Sequence, residues 1–124
     1  MWKRILRTLA RRRPASVARV SPSRADIGSW GENQAVSWQR RHGFAILGRN
    51  VRPGRHGELD IVARMDDTIV FVEVKTRRNE HFGRPASAVN MRQRQSLCRA
   101  SAAYLRRRGY PRGYYRFDII EMVG

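Results

Sequence analysis

Val70, Val72 and Val74 alternate with Glu73 and Lys75 along the segment Ile69–Lys75, and just upstream Leu59, Ile61 and Ala63 alternate with Glu58 and Asp60. A period of two places alternate side chains on opposite faces of a strand, so both segments are predicted strands with an apolar face and an acid-bearing face. Met65-Asp-Asp-Thr68 between them has the composition of a hairpin turn. Upstream the period lengthens. Gly31, Ala35 and Trp38 form one stripe of a helix predicted over 27–42, with Asp26 as its N-cap and Gly43 as its stop. A strand follows at Phe44–Arg49, then a Pro/Gly loop over Arg52–Gly57. After a polar loop at Thr76–Pro85, Asn90 and Gln93 give a capping-box pattern for a helix running to about Arg108, which Gly109 and Pro111 end. A last strand is predicted over Tyr114–Met122. The order αβββαβ predicts an α/β (α+β) domain over 26–124, a mixed central sheet flanked by helices.

The hairpin carries a register. If it closes around Asp66-Asp67, facing residues have numbers summing to 133, which sets Asp60 across from Glu73 and Glu58 across from Lys75. Directly opposed residues have Cβ atoms about 4.5–5.5 Å apart on one face. A slip of one residue would bury the acids with the valines, so the valine face protects this pairing.

Composition changes the picture in two ways. The formal net charge of +16 points to a polyanionic partner, most simply nucleic acid. Of the 26 basic residues all but Lys3 and Lys75 are arginine. A lysine kept at the end of the second hairpin strand suggests a need for a compact ammonium instead of a guanidinium. No apolar run has the length to span a bilayer. A single cysteine, Cys98, excludes an internal disulfide framework, suits a reducing, cytoplasmic location and reads as a small core residue in its helix. Residues 1–25 hold eight basic residues and no acid; Trp2, Ile5, Leu6 and Leu9 recur at helical spacing before an Arg/Ser/Pro stretch. This segment reads as a flexible basic extension, and its composition also matches an organellar transit peptide.

Two carboxylates as close as Asp60 and Glu73 repel, and keeping both ionised requires compensation. A divalent cation supplies it: Mg²⁺, with Mn²⁺ as substitute, takes one or two protein carboxylates, waters and a phosphate oxygen. Lys75 beside that pair would orient or deprotonate water, or stabilise charge on a phosphate. Glu32 is a third candidate if its helix crosses the sheet end, with Gly28 and Gly31 allowing close approach. Arg77 and Arg78, Arg55 in the loop before Glu58, and Arg92 and Arg94 on the second helix are candidate contacts to a phosphate backbone. His42, His56 and His81 lack metal-ligand spacing and read as surface or cap residues. Trp30, Trp38, Tyr104, Tyr114 and Tyr115 read as core or interface residues, and Asp118 as a buried structural acid.

Several motifs in order carry a resemblance: Gly28-Ser-Trp-Gly-Glu32, Gly48-Arg-Asn50, Gly57-Glu-Leu-Asp60, Val70-Phe-Val-Glu-Val-Lys-Thr-Arg77, Phe82-Gly-Arg-Pro85, Ala88-Val89, Tyr104-Leu105 and Arg116-Phe-Asp118. From about Gly28 to Ile120 the chain resembles the YraN-type family of predicted endonucleases, within the PD-(D/E)xK, restriction-endonuclease-like superfamily. It is similar in core layout to archaeal Holliday-junction resolvases. The resemblance implies metal ligation by Glu32, Asp60 and Glu73 and a catalytic role for Lys75. Gln93 stands where the family usually carries a lysine, and can hydrogen-bond water or phosphate. The implied activity is Mg²⁺-dependent hydrolysis of DNA phosphodiester bonds, with branched or junction DNA as the substrate class and a homodimer as the form suited to a symmetric junction. The alternative is a non-catalytic DNA- or RNA-binding protein that retains the fold.

Overall fold

The computed structural model describes residues 2–5, 24–55, 57–77, 91–109 and 114–123. Strand β1 (Trp2–Ile5) precedes helix α1 (Arg24–Arg41), strands β2 (Ala45–Val51), β3 (Leu59–Met65) and β4 (Thr68–Arg77), helix α2 (Met91–Arg108) and strand β5 (Tyr114–Val123). The strands form one mixed sheet in the order β1-β5-β4-β3-β2. β2, β3 and β4 run antiparallel, and β5 lies parallel to β4 and to β1. A parallel return needs a crossover, and α2 supplies it between β4 and β5.

The predicted αβββαβ order is present from α1 to β5. The hairpin register is also as predicted: Ile61–Val72, Val62–Phe71, Ala63–Val70, Arg64–Ile69 and Met65–Thr68 face one another. Asp66 takes a left-handed φ of 52° in the two-residue turn, a conformation Asp tolerates better than most residues. Gly109 with φ 69° follows the last residue of α2 and ends it.

Both faces of the sheet are covered. Ala35, Val36 and Trp38 of α1 pack with Ile61, Ala63, Val70, Val72, Ile120 and Met122. On the other face Leu97, Ala100 and Tyr104 of α2 pack with Leu59, Val62, Ile69, Phe71 and Phe117. Burial on both sides explains why β4 reads as a nearly unbroken apolar run up to Val72. Leu59 departs from the predicted face, since it packs with Val62 and not with Ile61 and Ala63. The alternation breaks where the paired ladder of β3 and β4 stops, at Ile61–Val72.

Five further expectations are corrected. Trp2–Ile5, read as part of a helical stripe, forms the edge strand β1 on β5, whose free backbone groups offer a parallel partner; of the 1–25 extension, residue 1 and residues 6–23 lie outside the described residues, and Arg24 and Ala25 belong to α1. α1 begins at Arg24, so Asp26 falls inside the first turn and is not the cap. Gly28 faces open space, and only Gly31 serves close approach. Cys98 is exposed, because the buried stripe of α2 runs through Leu97, Ala100, Ser101 and Tyr104 and Cys98 lies outside it. Tyr114 is exposed and Tyr115 half-exposed, the latter edge-on to Phe71 and Phe117, so of core or interface only the core reading is overturned. Trp38 and Tyr104 are core residues as read, and Asp118 is buried against the Arg116 guanidinium at 3.1 Å. His42 behaves as a cap: its Nδ1 lies 2.7 Å from the Trp38 carbonyl oxygen near the end of α1.

Candidate active site

Where the β3–β4 ladder stops, a side chain takes over from the backbone. The Val74 N–H donates to Oδ2 of Asp60 at 2.9 Å. That bond pins the Asp60 carboxyl between the two strands and aims it at Glu73, the residue the register places opposite. Glu73 is 9% exposed. Its Oε1 accepts from the Gln93 amide of α2 at 2.8 Å and lies 3.2 Å from Nζ of Lys75. Three elements therefore converge: β3 supplies Asp60, β4 supplies Glu73 and Lys75, and α2 supplies Gln93.

Local sequence explains the convergence. Gly57, with φ 76°, fits against Ser96 of α2, where any side chain would meet the Ser96 hydroxyl and carbonyl; this fixes the approach to β3. On the opposite face α1 sits directly on β4, since a methyl at Gly31 would overlap the Thr76 hydroxyl. That contact brings the next residue, Glu32, to the sheet end.

The electrostatics are those of crowded acids. Burial, then the charge of Glu73, pushes the Asp60 carboxyl up to about 7; a hydrogen bond shared with Glu73 and the charge of Glu58 add to this, while the Val74 N–H opposes it. Glu32 is also raised, by burial first and the Asp60 charge second, with the Asn50 amide and Arg49 pulling the other way. With its nitrogen turned toward the acids, the Asn50 amide donates to Glu58 Oε1 at 3.0 Å and to Glu32 Oε1 at 3.1 Å.

Of the predicted site, Asp60, Glu73 and Lys75 are brought together, and Gln93 joins them by binding Glu73 directly. Glu32 stands beside them, tied to Asn50 and 3.9 Å from Arg49. Glu58 does not pair with Lys75; the ladder has ended, and Glu58 accepts from Arg52 at 2.9 Å. Arg92 and Arg94 are exposed on α2. Arg77 is the last residue of β4, and Arg55 lines a cleft against α2. Arg78, His56 and His81 lie outside the described residues. Among the described residues no three His, Cys, Asp or Glu side chains are arranged to hold a metal ion, and no helix is long and apolar enough to cross a membrane. Sequence reasoning missed Arg49 and Asn50 as partners of the acids. The available signal was Asn50 itself, since Asn tolerates the left-handed conformation it adopts here at φ 50°.

A donor set of two close carboxylates, one of them raised by burial and then by the other's charge, is of the kind that suits a divalent cation. Comparison with known proteins places the chain among relatives of similar length. It is 40% identical over 100 residues to a UPF0102 protein of Caldicellulosiruptor saccharolyticus, covering 81% of this chain and 84% of that one. It is 45% identical over 99 residues to one of Syntrophotalea carbinolica, covering 80% of each. It is 46% identical over 98 residues to one of Alkaliphilus oremlandii, covering 77% and 83%. Residues 31–122 match the sequence profile of the same group. That span runs from Gly31 on α1 to Met122 on β5 and takes in every residue of the site: the chain belongs to the uncharacterised protein family UPF0102.

Proposed function

We propose that this protein is a metal-dependent endonuclease that hydrolyses DNA phosphodiester bonds. The observation that carries the reading is the Asp60–Glu73 pair at the end of β3 and β4, with the Lys75 ammonium 3.2 Å from Glu73. The PD-(D/E)xK resemblance and the net charge of +16 support it. Asp60 and Glu73 would hold the cation, with Glu32 adding negative charge nearby. The bound ion would polarise the phosphodiester and favour ionisation of water. Glu73 and Gln93 hold Lys75 and the acid pair in fixed positions, so the ammonium needs no rearrangement to stabilise charge developing on phosphate oxygen. Water would attack phosphorus, the new P–O bond forming as the opposite P–O bond breaks; the water's proton passes to solvent and the leaving sugar oxygen takes a proton from solvent, giving a phosphate monoester and a free hydroxyl. Branched DNA is the proposed substrate class, and a homodimer would place two such sites on a symmetric junction.

The test is purified protein with linear and four-way-junction DNA, with Mg²⁺, Mn²⁺ or EDTA. Metal-dependent cleavage that Asp60→Asn and Lys75→Ala each slow by on the order of 10²-fold or more is the expected result. Cleavage that survives both substitutions undiminished would sink the reading. One observation favours a second reading: Glu73 is already engaged by Lys75 and Gln93. A nucleic-acid-binding protein that needs no metal would suit such an internally satisfied site, and would bind DNA equally well in EDTA and after Glu73→Gln without cutting it.

A further inference from the structure

Away from the acids, the loop between β2 and β3 lies over the C-terminal half of α2 and leaves a cleft of about 340 Å³. Pro53, Gly54, Ala102 and Ala103 contribute small apolar surface, and Arg55, Arg99, Arg106 and Arg107 supply four guanidinium groups. No acid is among the described lining residues. The loop is seated on the helix, since a methyl on Gly54 would reach the Ala103 methyl at ordinary contact distance, 3.6 Å. The neighbouring basic residues behave differently: Arg52 is neutralised by Glu58, and Arg108 lies over the Tyr104 ring. The four cleft arginines have no such partner among the described residues. They come from two elements and meet across a concavity, unlike a charge run spread along a solvated helix face.

We infer that this cleft binds the phosphate backbone of a nucleic acid strand at a second position, apart from the carboxylate pair. The inference rests on the proposed action on DNA. Guanidinium groups match phosphate oxygens in paired geometry, and small apolar residues let the sugar approach closely. Placement along α2 sets the spacing. Gln93, on the acid pair, and the cleft residues Arg99 to Arg107 are separated by about 9–21 Å at 1.5 Å per helical residue. At about 3.4 Å per nucleotide of duplex axis, that is roughly three to six nucleotides from the phosphate at the acid pair. The substrate must extend that far to one side, and its backbone must lie along α2.

The test uses the full chain in EDTA and a fluorescein-labelled duplex of about 20 base pairs, followed by anisotropy from roughly 50 to 200 mM salt. Arg99→Gln with Arg106→Gln should lower the slope of log affinity against log salt by about 1.8, from two lost contacts at about 0.9 each. Arg40→Gln with Arg41→Gln removes the same charge from the end of α1 and should change the slope much less. Arg99→Lys with Arg106→Lys keeps the charges and should hold the slope near wild type, which separates lost contacts from misfolding. Equal losses from the α1 and α2 glutamine pairs, or no loss from the α2 pair, would overturn the inference. It would also be overturned if pyrophosphate binds the wild type, fails to bind the α2 pair, and the duplex is unaffected; the cleft would then serve a small phosphorylated ligand. Cleavage of four-way-junction DNA with Mg²⁺ is read separately. No cleavage with a changed slope defeats the nuclease reading and leaves the cleft; normal cleavage with an unchanged slope does the reverse.

Discussion

Like charges are crowded in two places on this domain, and the two crowds are handled in opposite ways. At the end of β3 and β4, Asp60 and Glu73 are largely out of water, and each has its own partners: the Val74 N–H for one, Lys75 and Gln93 for the other. Between the β2–β3 loop and α2, Arg55, Arg99, Arg106 and Arg107 line an exposed cleft with no acid among its described lining residues. Burial makes the first crowding expensive, shifts Asp60 to about 7 and demands particular counter-charges. Solvent makes the second cheap and leaves it responsive to any polyanion and to salt. The acids are therefore suited to chemistry and the arginines to grip, and each assignment can be broken separately.

The largest effect should come from Lys75. Replacing it with alanine removes the ammonium beside Glu73, and the loss of one preorganised charge at a reacting centre is worth on the order of 10²–10³ in rate. Single-turnover cleavage of junction DNA with Mg²⁺ should fall by that factor. Lys75→Arg keeps the charge but exchanges a compact ammonium for a planar fork, and should fall almost as far. The α2 pair Arg99→Gln with Arg106→Gln should leave the rate at saturation intact and weaken only binding. If Lys75→Arg cleaves normally, a positive charge of any shape suffices, and the contrast between the chemical site and the grip loses its sharpest edge.

Second in size is the pH dependence of stability. The Asp60 carboxyl is raised from 3.8 to about 7, so between those values the folded protein holds a proton that the unfolded chain has released. Stability from this group is full below pH 3.8, declines as pH rises through the window, and is lost above 7. Asp60→Asn keeps an acceptor for Val74 without the charge. At pH 8, without metal, it should be more stable than wild type by on the order of 2–4 kcal/mol, a gain that vanishes near pH 4. Thermal melts across pH measure this. At pH 8 a millimolar divalent cation should raise the wild-type Tm and leave Asp60→Asn with Glu73→Gln unmoved; an equal rise in both would mean the ion binds elsewhere.

Much of this was legible in the sequence, because strand periodicity and a two-residue turn determine register. Once Asp66-Asp67 was the turn, Ile61–Val72 and the opposition of Asp60 to Glu73 followed from arithmetic. The site was less legible where tertiary packing decided it. Glu58 was assigned to Lys75 by extending the ladder, but the ladder ends at Ile61 because Asp60 intercepts the Val74 N–H, and Glu58 turns to Arg52. Sequence alone directs Gln93 to phosphate or water and not to Glu73, since no pattern in α2 shows which turn of the helix overlies β4. Cys98 and Tyr114 were misplaced for a similar reason: apolar character fits a stripe only when the neighbouring element is known to cover it. The β1 strand was hidden because four residues cannot distinguish a period of two from helical spacing.

Third comes Gln93. Its amide donates to a buried carboxylate at 2.8 Å, and Gln93→Ala leaves Glu73 with Lys75 and the hydrogen bond it shares with Asp60. A hydrogen bond to a charged group contributes about 1.5–3 kcal/mol, part of which water entering the space vacated near the α2 N-terminus will restore. A destabilisation of about 1 kcal/mol is expected in urea titration, with tighter binding of Mn²⁺ because an oxygen of Glu73 is released. Unchanged Mn²⁺ affinity would show that Gln93 supports the helix and not the acid pair.

The smallest effect tests the other half of the comparison. Arg106→Gln removes one of four like charges, as Asp60→Asn removes one of two, but Arg106 is exposed. Surface substitutions of this kind stay within about ±0.5 kcal/mol. The sign should be positive at low ionic strength, where relief of repulsion among Arg55, Arg99 and Arg107 is least screened, and should approach zero at about 0.5 M salt. Urea titrations at both salt concentrations measure it against Asp60→Asn in the same buffers. The carboxylate variant should keep its gain in high salt, because its charges are shielded by protein and not by ions. If both gains fade together as salt is added, the two crowds differ only in degree, and burial is not what sets the acids apart.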